Sequence, residues 1–228
     1  MKISFPQNYN FRDIAIVEDG ILCIKEICSF KALMYDLTAF VRDINRCYFC
    51  SKPIYKSSAE TLKNNNFRTF DHLYPQDLGG PTLPYNLVPS CPSCNCKKAN
   101  MTERDFKVYK RLSESKQKVF MAEAYKNYKF LKRWHTPLVP IDYYFYTTPN
   151  QIVVPSKQIR EKELKKIKDM FFEYGRIYRP IIVDRNNVLL DGYGVMNFIQ
   201  QYPGKVTYVP VIRLDNVVLQ VCTNKKTK

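Results

Sequence analysis

Two pairs of cysteines, and one histidine-centred stretch between them, are the residues of this chain whose types and spacing could do chemistry. Cys47 and Cys50 form one C-x-x-C knuckle, Cys91 and Cys94 form a second, and 40 residues lie between the two. Two such knuckles can close one tetrahedral zinc site. Four thiolates leave the ion no open position, so zinc held this way staples the chain and does not catalyse. Between the knuckles runs Phe70-Asp71-His72-Leu73-Tyr74-Pro75, then Gly79-Gly80 and Asn86, and Asn95 follows directly on Cys94. An imidazole can take a proton from water near neutral pH, and His72 is one of only two histidines in the chain, so His72 is the candidate general base. Hydrolysis of a phosphodiester needs an activated water, charge neutralisation and relief of the leaving alkoxide. A metal-stapled loop that presents Asp-His and two asparagines fits those demands better than it fits a packed core.

The elements that must position these residues are legible around them. A short strand ending at Phe70 would place His72 at its end, and a second strand around Leu87-Val88 would return alongside it. The knuckle at Cys91 and Cys94 would then open a helix. Upstream, DIAIVEDGILCIK alternates apolar and polar residues about Asp19-Gly20 and predicts a tight-turned β-hairpin over 12–25. Phe30, Leu33, Met34, Leu37, Phe40, Val41 and Ile44 fall at helical spacing and predict an amphipathic helix over 29–45. Residues 1–46 carry no chemical motif and are expected to brace the core that follows.

Residues 47–100 as a whole resemble the zinc-stapled kind of HNH endonuclease. That family's pattern is a C-x-x-C knuckle, then D-H-x-x-P-x-x-x-G-G, then N-L-x-x-x-C-x-x-C-N-x-x-K. The stretch DHLYPQDLGGPTLPYNLVPSCPSCNCKKAN follows it almost position by position. The resemblance covers about a quarter of the chain. It implies a ββα-metal fold, with His72 as the first, catalytic histidine and Asn86 as the central asparagine. Asn95 stands where the final histidine of the name would be, as in the family's HNN variant. It further implies that Asp71 and Asn95 hold a catalytic Mg²⁺ or Mn²⁺, and that Asn86 bonds the loop backbone and aims His72. The products would carry 5′-phosphate and 3′-hydroxyl ends, and DNA would be the substrate.

Charge points to the same kind of partner. The chain has 36 Lys and Arg against 21 Asp and Glu, a formal charge of +15. Twelve of the basic and four of the acidic residues fall between Lys97 and Arg133. In that segment Phe120, Ala124, Tyr128 and Leu131 recur at helical spacing, so it reads as helix with one buried face. Lys97, Lys98, Arg104, Lys107, Lys110 and Arg111 lie closest in sequence to the cassette and are the candidate phosphate contacts. The start of the chain has no apolar signal core, and no run of 18 apolar residues exists. No membrane segment is expected, and the eight cysteines are expected to be reduced, as in the cytoplasm of a bacterial or phage-infected cell. Cys23, Cys28 and Cys222 read as small core residues and Cys96 as a bystander to the knuckle. His135, beside Trp134, reads as a packing residue.

Pro137, Pro140 and Pro149 mark a linker over 137–150. Beyond it the pattern is strand, helix, hairpin, helix, strand, with Asn186-Asn187 at the hairpin turn. Over 151–214 this resembles the ParB/sulfiredoxin-like domain. The box at Asp191-Gly192-Tyr193-Gly194-Val195-Met196 lacks the arginines that hold nucleotide phosphates and the reactive cysteine of the two parent families. The expected fold class is α+β. A 47–136 nuclease core with basic helical extension is followed by the 137–150 linker and a small ParB-like α/β domain at 151–228, which could carry homo-oligomer or protein-partner contacts.

Three readings of function remain. The first is a metal-dependent HNH nuclease. The second is a zinc-containing DNA-binding or regulatory protein of phage or mobile-element origin that cuts weakly or not at all. The third is a basic module that meets an acidic protein.

Overall fold

The computed structural model describes residues 1–6, 11, 14–25, 30–133, 145–155 and 161–220. The readings placed on Cys28, Trp134, His135, Pro137, Pro140 and Cys222 fall outside the described residues. The chain divides into two compact units, Leu37–Pro140 on the one hand, and Met1–Asp36 with Ile141–Lys228 on the other.

The unit Leu37–Pro140 is built on one small hairpin. Strands β3 (Thr69–His72) and β4 (Leu87–Ser90) pair antiparallel, with Asp71 opposite Val88 and His72 opposite Leu87. β4 is buried along its whole length, as its Leu-Val-Pro sequence demands. Helix α3 (Pro92–Lys98) follows at once, with Pro92 at its first turn and Cys91 as its N-cap. Order and pairing are β, β, α with both knuckles at the base. The first knuckle is tied to the hairpin by the Tyr48 N–H, which donates to the Pro89 carbonyl at 2.9 Å. A core of Ile54, Met101 and Phe106 packs against the cysteines themselves, with Phe49, Tyr109 and Phe120 at its edge. Helices α4 (Glu103–Tyr109) and α5 (Glu114–Arg133) complete the unit. The predicted buried stripe of α5 is present: Ala124 and Tyr128 are buried and pack with Leu78. A short helix α2 (Ala59–Lys63), capped by Ser58, lies between the first knuckle and β3.

In the second unit, the hairpin of β1 (Ala15–Glu18) and β2 (Ile21–Ile24) forms about Asp19 and Gly20, which take φ of 49° and 73°. This left-handed pair is what a two-residue hairpin turn requires. β2 pairs in parallel with β9 (Val217–Leu219), and the division into units falls after Asp36, within the 1–46 stretch that the sequence reading took as bracing the core. The physical reason is that Leu22, Cys23 and Ile24 are all buried, so the edge of β2 needs a strand beside it, and the closing Val217-Val218-Leu219 supplies one. Helix α1 (Phe30–Val41) forms as its spacing predicts and buries Phe30, Leu33, Met34 and Leu37. It stops at Val41, and Phe40 and Val41 are exposed.

The C-terminal stretch carries α6 (Glu161–Tyr174), β6 (Ile181–Asp184), β7 (Leu189–Asp191), α7 (Tyr193–Gln201) and β8 (Val209–Leu214). The hairpin turns at Asn187, whose φ is 61°, and Asp184 is wholly buried at its base. One Asp184 oxygen accepts from the Asn186 and Val188 N–H groups, the other from Leu219 N–H. Where the pattern after the linker opens on a strand, the described residues show a single bridge, Val153 to Val188. The fourth strand of this sheet is instead β5 (Phe145–Thr147), from the stretch read as linker, in the order β5-β8-β6-β7.

Candidate active site and metal centre

The four thiol sulfurs of Cys47, Cys50, Cys91 and Cys94 all lie within 4.8 Å of one another, and those of Cys50 and Cys91 are 3.9 Å apart. Four sulfurs at about 2.3 Å from one zinc would be roughly 3.8 Å apart, so the cluster is of the size a structural Zn²⁺ takes. Cys96 is exposed and stands outside it. The thiols also repel one another's charge. Burial alone would raise Cys47, yet backbone hydrogen bonds from Cys91, Phe49 and Cys50 bring it down to about 7. Burial, and then the charge on Cys47, push Cys94 well up. A set of buried thiolates that cannot all ionise alone is a set that calls for a cation.

One strand away, β3 presents Asp71 and His72 side by side. Asp71 is 7% exposed. Its Oδ1 accepts from the His72 N–H at 2.7 Å and from Lys98 Nζ at 3.4 Å. Its Oδ2 is buried and has no hydrogen-bond partner among the described residues. A buried carboxylate oxygen without a donor is costly unless a cation meets it. This orphaned atom is the observation by which the donor set fits a hard divalent ion. Burial pushes the Asp71 carboxyl above the ordinary carboxylate range, while the Lys98 charge pulls against it. Asn95 sits on α3, one residue beyond the last thiolate. Its Nδ2 donates to Thr69 Oγ1 at 3.0 Å, which fixes the amide and leaves Oδ1 as its other end.

Lys98 was expected among the phosphate contacts, and the structure corrects this. Its side chain has no exposure to solvent, and Nζ donates to the His72 carbonyl at 2.6 Å as well as to Asp71. The reason is helical phase. Lys98 lies four residues after Cys94 and three after Asn95, so it shares the inward face of α3 with the metal side. Burial lowers its affinity for the proton, and Asp71 opposes that loss. Lys97, Arg104, Lys107, Lys110 and Arg111 are exposed. Of these, Lys107 pairs with Glu103 at 2.6 Å and Lys110 donates to the Phe49 carbonyl at 2.6 Å.

Asn86 is 4% exposed, and its side chain bonds to main chain. Its Oδ1 accepts from Tyr74 N–H at 2.9 Å, and its Nδ2 donates to the carbonyls of Tyr74 at 3.0 Å and Pro81 at 2.9 Å. These bonds draw the loop 74–86 into a closed arch. The two glycines make the arch possible: Gly79 takes φ of 91°, and a Cβ on Gly80 would come within 1.9 Å of the Tyr74 carbonyl oxygen. At the far side of the arch, Thr82 Oγ1 stands 3.1 Å from His72 Nε2, and Gln76 Nε2 donates to the same oxygen at 2.7 Å. Neither Thr82 nor Gln76 was singled out from sequence. Nothing in their spacing marks them, because the contact depends on how the arch closes.

Residues 47–101 match the family model described as HNH endonuclease. No curated protein and no solved structure matches the chain. No helix among the described residues is long and apolar enough to cross a membrane.

Proposed function

We propose that this protein is a metal-dependent HNH endonuclease that hydrolyses DNA phosphodiester bonds. The observation that carries the reading is the pairing, on one strand, of His72 with an Asp71 carboxylate whose buried Oδ2 has no hydrogen-bond partner among the described residues. The family match over 47–101 supports it.

In this reading His72 takes the proton of the attacking water, which general-base catalysis makes worth roughly 10²–10⁴ in rate. Asp71 and Asn95 hold Mg²⁺ or Mn²⁺ through oxygen, and the bound ion supplies neutralisation of charge on the scissile phosphate. Asn86 holds the arch that carries the surroundings of His72. Zinc in the cysteine cluster is structural, and the exposed basic residues of α3, α4 and the turn after α4 meet the DNA backbone. The test is incubation of the purified chain with supercoiled, linear and branched DNA in the presence of Mg²⁺, Mn²⁺ or EDTA. Cleavage that needs the divalent ion and is lost in His72→Ala is the expected result. No cleavage of any substrate with either ion would refute it.

One observation favours the second reading, a zinc-stapled DNA-binding protein that cuts weakly. Asp71 Oδ1 already accepts from two donors, one of them the Lys98 ammonium. The same assay separates the two. For residues 151–228 the proposal is a degenerate ParB-like domain that serves assembly or partner contacts in a phage or mobile-element setting. The helix, hairpin, helix, strand order over 161–214 supports it. Light scattering of the full chain across a concentration series tests self-association.

A further inference from the structure

We propose that a cavity beside the cysteine cluster binds one unpaired nucleotide of a DNA strand, so that the preferred substrate is a duplex with a local unpaired stretch. This rests on the reading of the chain as a nuclease that acts on DNA. The cavity has a volume of about 330 Å³ and lies between the first knuckle, α3, α4 and the start of α5. That volume is at the lower end of the range for ligand pockets, the size class of a single nucleotide. Lys52, Lys97 and Lys110 line it. So do Phe106 and Tyr109, which stack on each other at an interplanar angle of 20° with ring centroids 6.1 Å apart. Cations beside stacked rings are the composition by which proteins hold single-stranded nucleic acid: the cations meet phosphate, and the ring surface meets the base.

The walls are held before a ligand arrives. Lys110 Nζ donates to the Phe49 carbonyl at 2.6 Å and stands 6.0 Å from the centre of the Phe106 ring. Gln117, another lining residue, donates through Nε2 to the carbonyls of Tyr109 at 3.2 Å and Leu112 at 3.0 Å. Such preorganisation lowers the cost of binding. Charge weighs against the simpler account, in which the lysines only offset the thiolates. A zinc ion with four thiolates carries about −2, and three of the four cysteines line the cavity. The three ammonium groups exceed that by about one unit, the charge of one phosphodiester.

The cavity is distinct from the residues assigned to the chemistry. Lys97 lines it, whereas Asn95, roughly 200° away round α3, donates to Thr69 of β3. A nucleotide in the cavity therefore sits on another side of α3 from a phosphate at Asp71 and Asn95. Bases stacked inside a duplex offer no ring face to Tyr109, and an unpaired base does. Lys97 and Lys110 can meet backbone phosphate in paired and unpaired DNA alike. Tyr109 and Lys52 are the members particular to the unpaired nucleotide.

The test is fluorescence anisotropy on the zinc-loaded full chain without added Mg²⁺ or Mn²⁺. The two probes are a fully paired duplex and the same duplex with a short unpaired stretch in one strand. Wild type should bind the second more tightly by roughly tenfold. Tyr109→Leu should remove that preference and leave affinity for the paired probe within about twofold, and Tyr109→Phe should keep the preference. Lys52→Gln, at an exposed position, should weaken binding of the unpaired probe alone. Photo-crosslinking from one 5-bromouracil in the unpaired stretch should join the strand to the peptide that contains Tyr109. Equal affinity of wild type for the two probes, or a preference kept in full by Tyr109→Leu, overturns the proposal and leaves the nuclease reading standing. Should Tyr109→Leu fail to retain zinc, an undiminished preference in Lys52→Gln, or a crosslink to β3 and the arch alone, overturns it equally. No binding of either probe removes the DNA reading itself, and this proposal with it.

Discussion

Lys98 Nζ donates to the main-chain carbonyl of His72 at 2.6 Å from a side chain that has no contact with solvent. The same ammonium stands 3.4 Å from Asp71 Oδ1. A lysine so placed joins helix α3 to strand β3 at the two residues assigned to the chemistry. It also supplies the charge that makes a buried Asp71 carboxylate tolerable. Lys98→Met keeps much of the volume but leaves Asp71 with a buried, uncompensated charge. Breaking a buried pair in this way costs about 3–5 kcal/mol. Chemical denaturation of the zinc-loaded chain should show a loss of that size, and the Lys98→Met, Asp71→Asn double variant should recover part of it. A Lys98→Met variant as stable as wild type would mean that the ammonium contributes nothing to Asp71.

Asn86 makes three side-chain bonds to the main chain at 3.0 Å or less. Asn86→Ala leaves the Tyr74 N–H and two carbonyls without partners in a buried place, at about 1 kcal/mol each or somewhat more. Asn86→Asp keeps the acceptor for Tyr74 N–H but turns two donors into acceptors that face carbonyl oxygens. The aspartate should therefore be at least as damaging as the alanine, although it is closer in shape. Thermal unfolding of the two variants side by side checks the order. Aspartate milder than alanine would show that Nδ2 is not the donor to Tyr74 and Pro81.

How much of this was legible in the sequence follows from the range of the interactions. The knuckles were legible because metal ligation needs fixed ligand types at short spacing, and Cys47, Cys50, Cys91 and Cys94 do converge. The hairpin at Asp19-Gly20 was legible because a two-residue turn admits few residues. The parallel pairing of β2 with β9 was not, since nothing local in Leu22-Cys23-Ile24 names a partner some 190 residues away. β5 was hidden for a related reason: it lies between prolines that read as a linker, and only pairing with β8 makes it a strand. Lys98 was misread for a different reason. The rule that lysines are exposed outweighed the helical phase, which already placed it with Cys94 and Asn95. Thr82 and Gln76 left no signal, because they reach His72 only when the arch closes.

The zinc prediction tests the base on which the site is mounted. Cys47→Ser or Cys91→Ser should lose the metal and unfold the segment 47–101, because the cysteines are themselves part of its core. Apparent binding free energies of about 10–16 kcal/mol are usual for such structural sites in small zinc domains. Each ligand must shed a proton to bind, so a falling pH should release zinc and unfold the segment together. Elemental analysis alongside circular dichroism across an acid titration checks this. Freshly purified, folded protein without zinc would contradict it.

The surface charges make the last prediction. Lys97, Arg104, Lys107, Lys110 and Arg111 are exposed near α3 and α4, whereas Lys98 is not. Each duplex phosphate neutralised contributes about −0.9 to the slope of log affinity against log salt. Five contacts would give a slope of about −4.5, or roughly a 500-fold loss of affinity between 50 and 200 mM salt. The five should not weigh equally. Lys107 is already paired with Glu103, and Lys110 already donates to the Phe49 carbonyl, so each must give up a partner to meet phosphate. Lys97→Gln, Arg104→Gln and Arg111→Gln should each reduce the slope by about one, Lys107→Gln and Lys110→Gln by less, and all of them alike on every DNA sequence. Lys98→Gln, measured where it remains folded, should leave the slope unchanged. Fluorescence anisotropy with an uncleavable duplex over a salt series reads these slopes directly. A salt-independent affinity would instead point the basic face at an acidic protein.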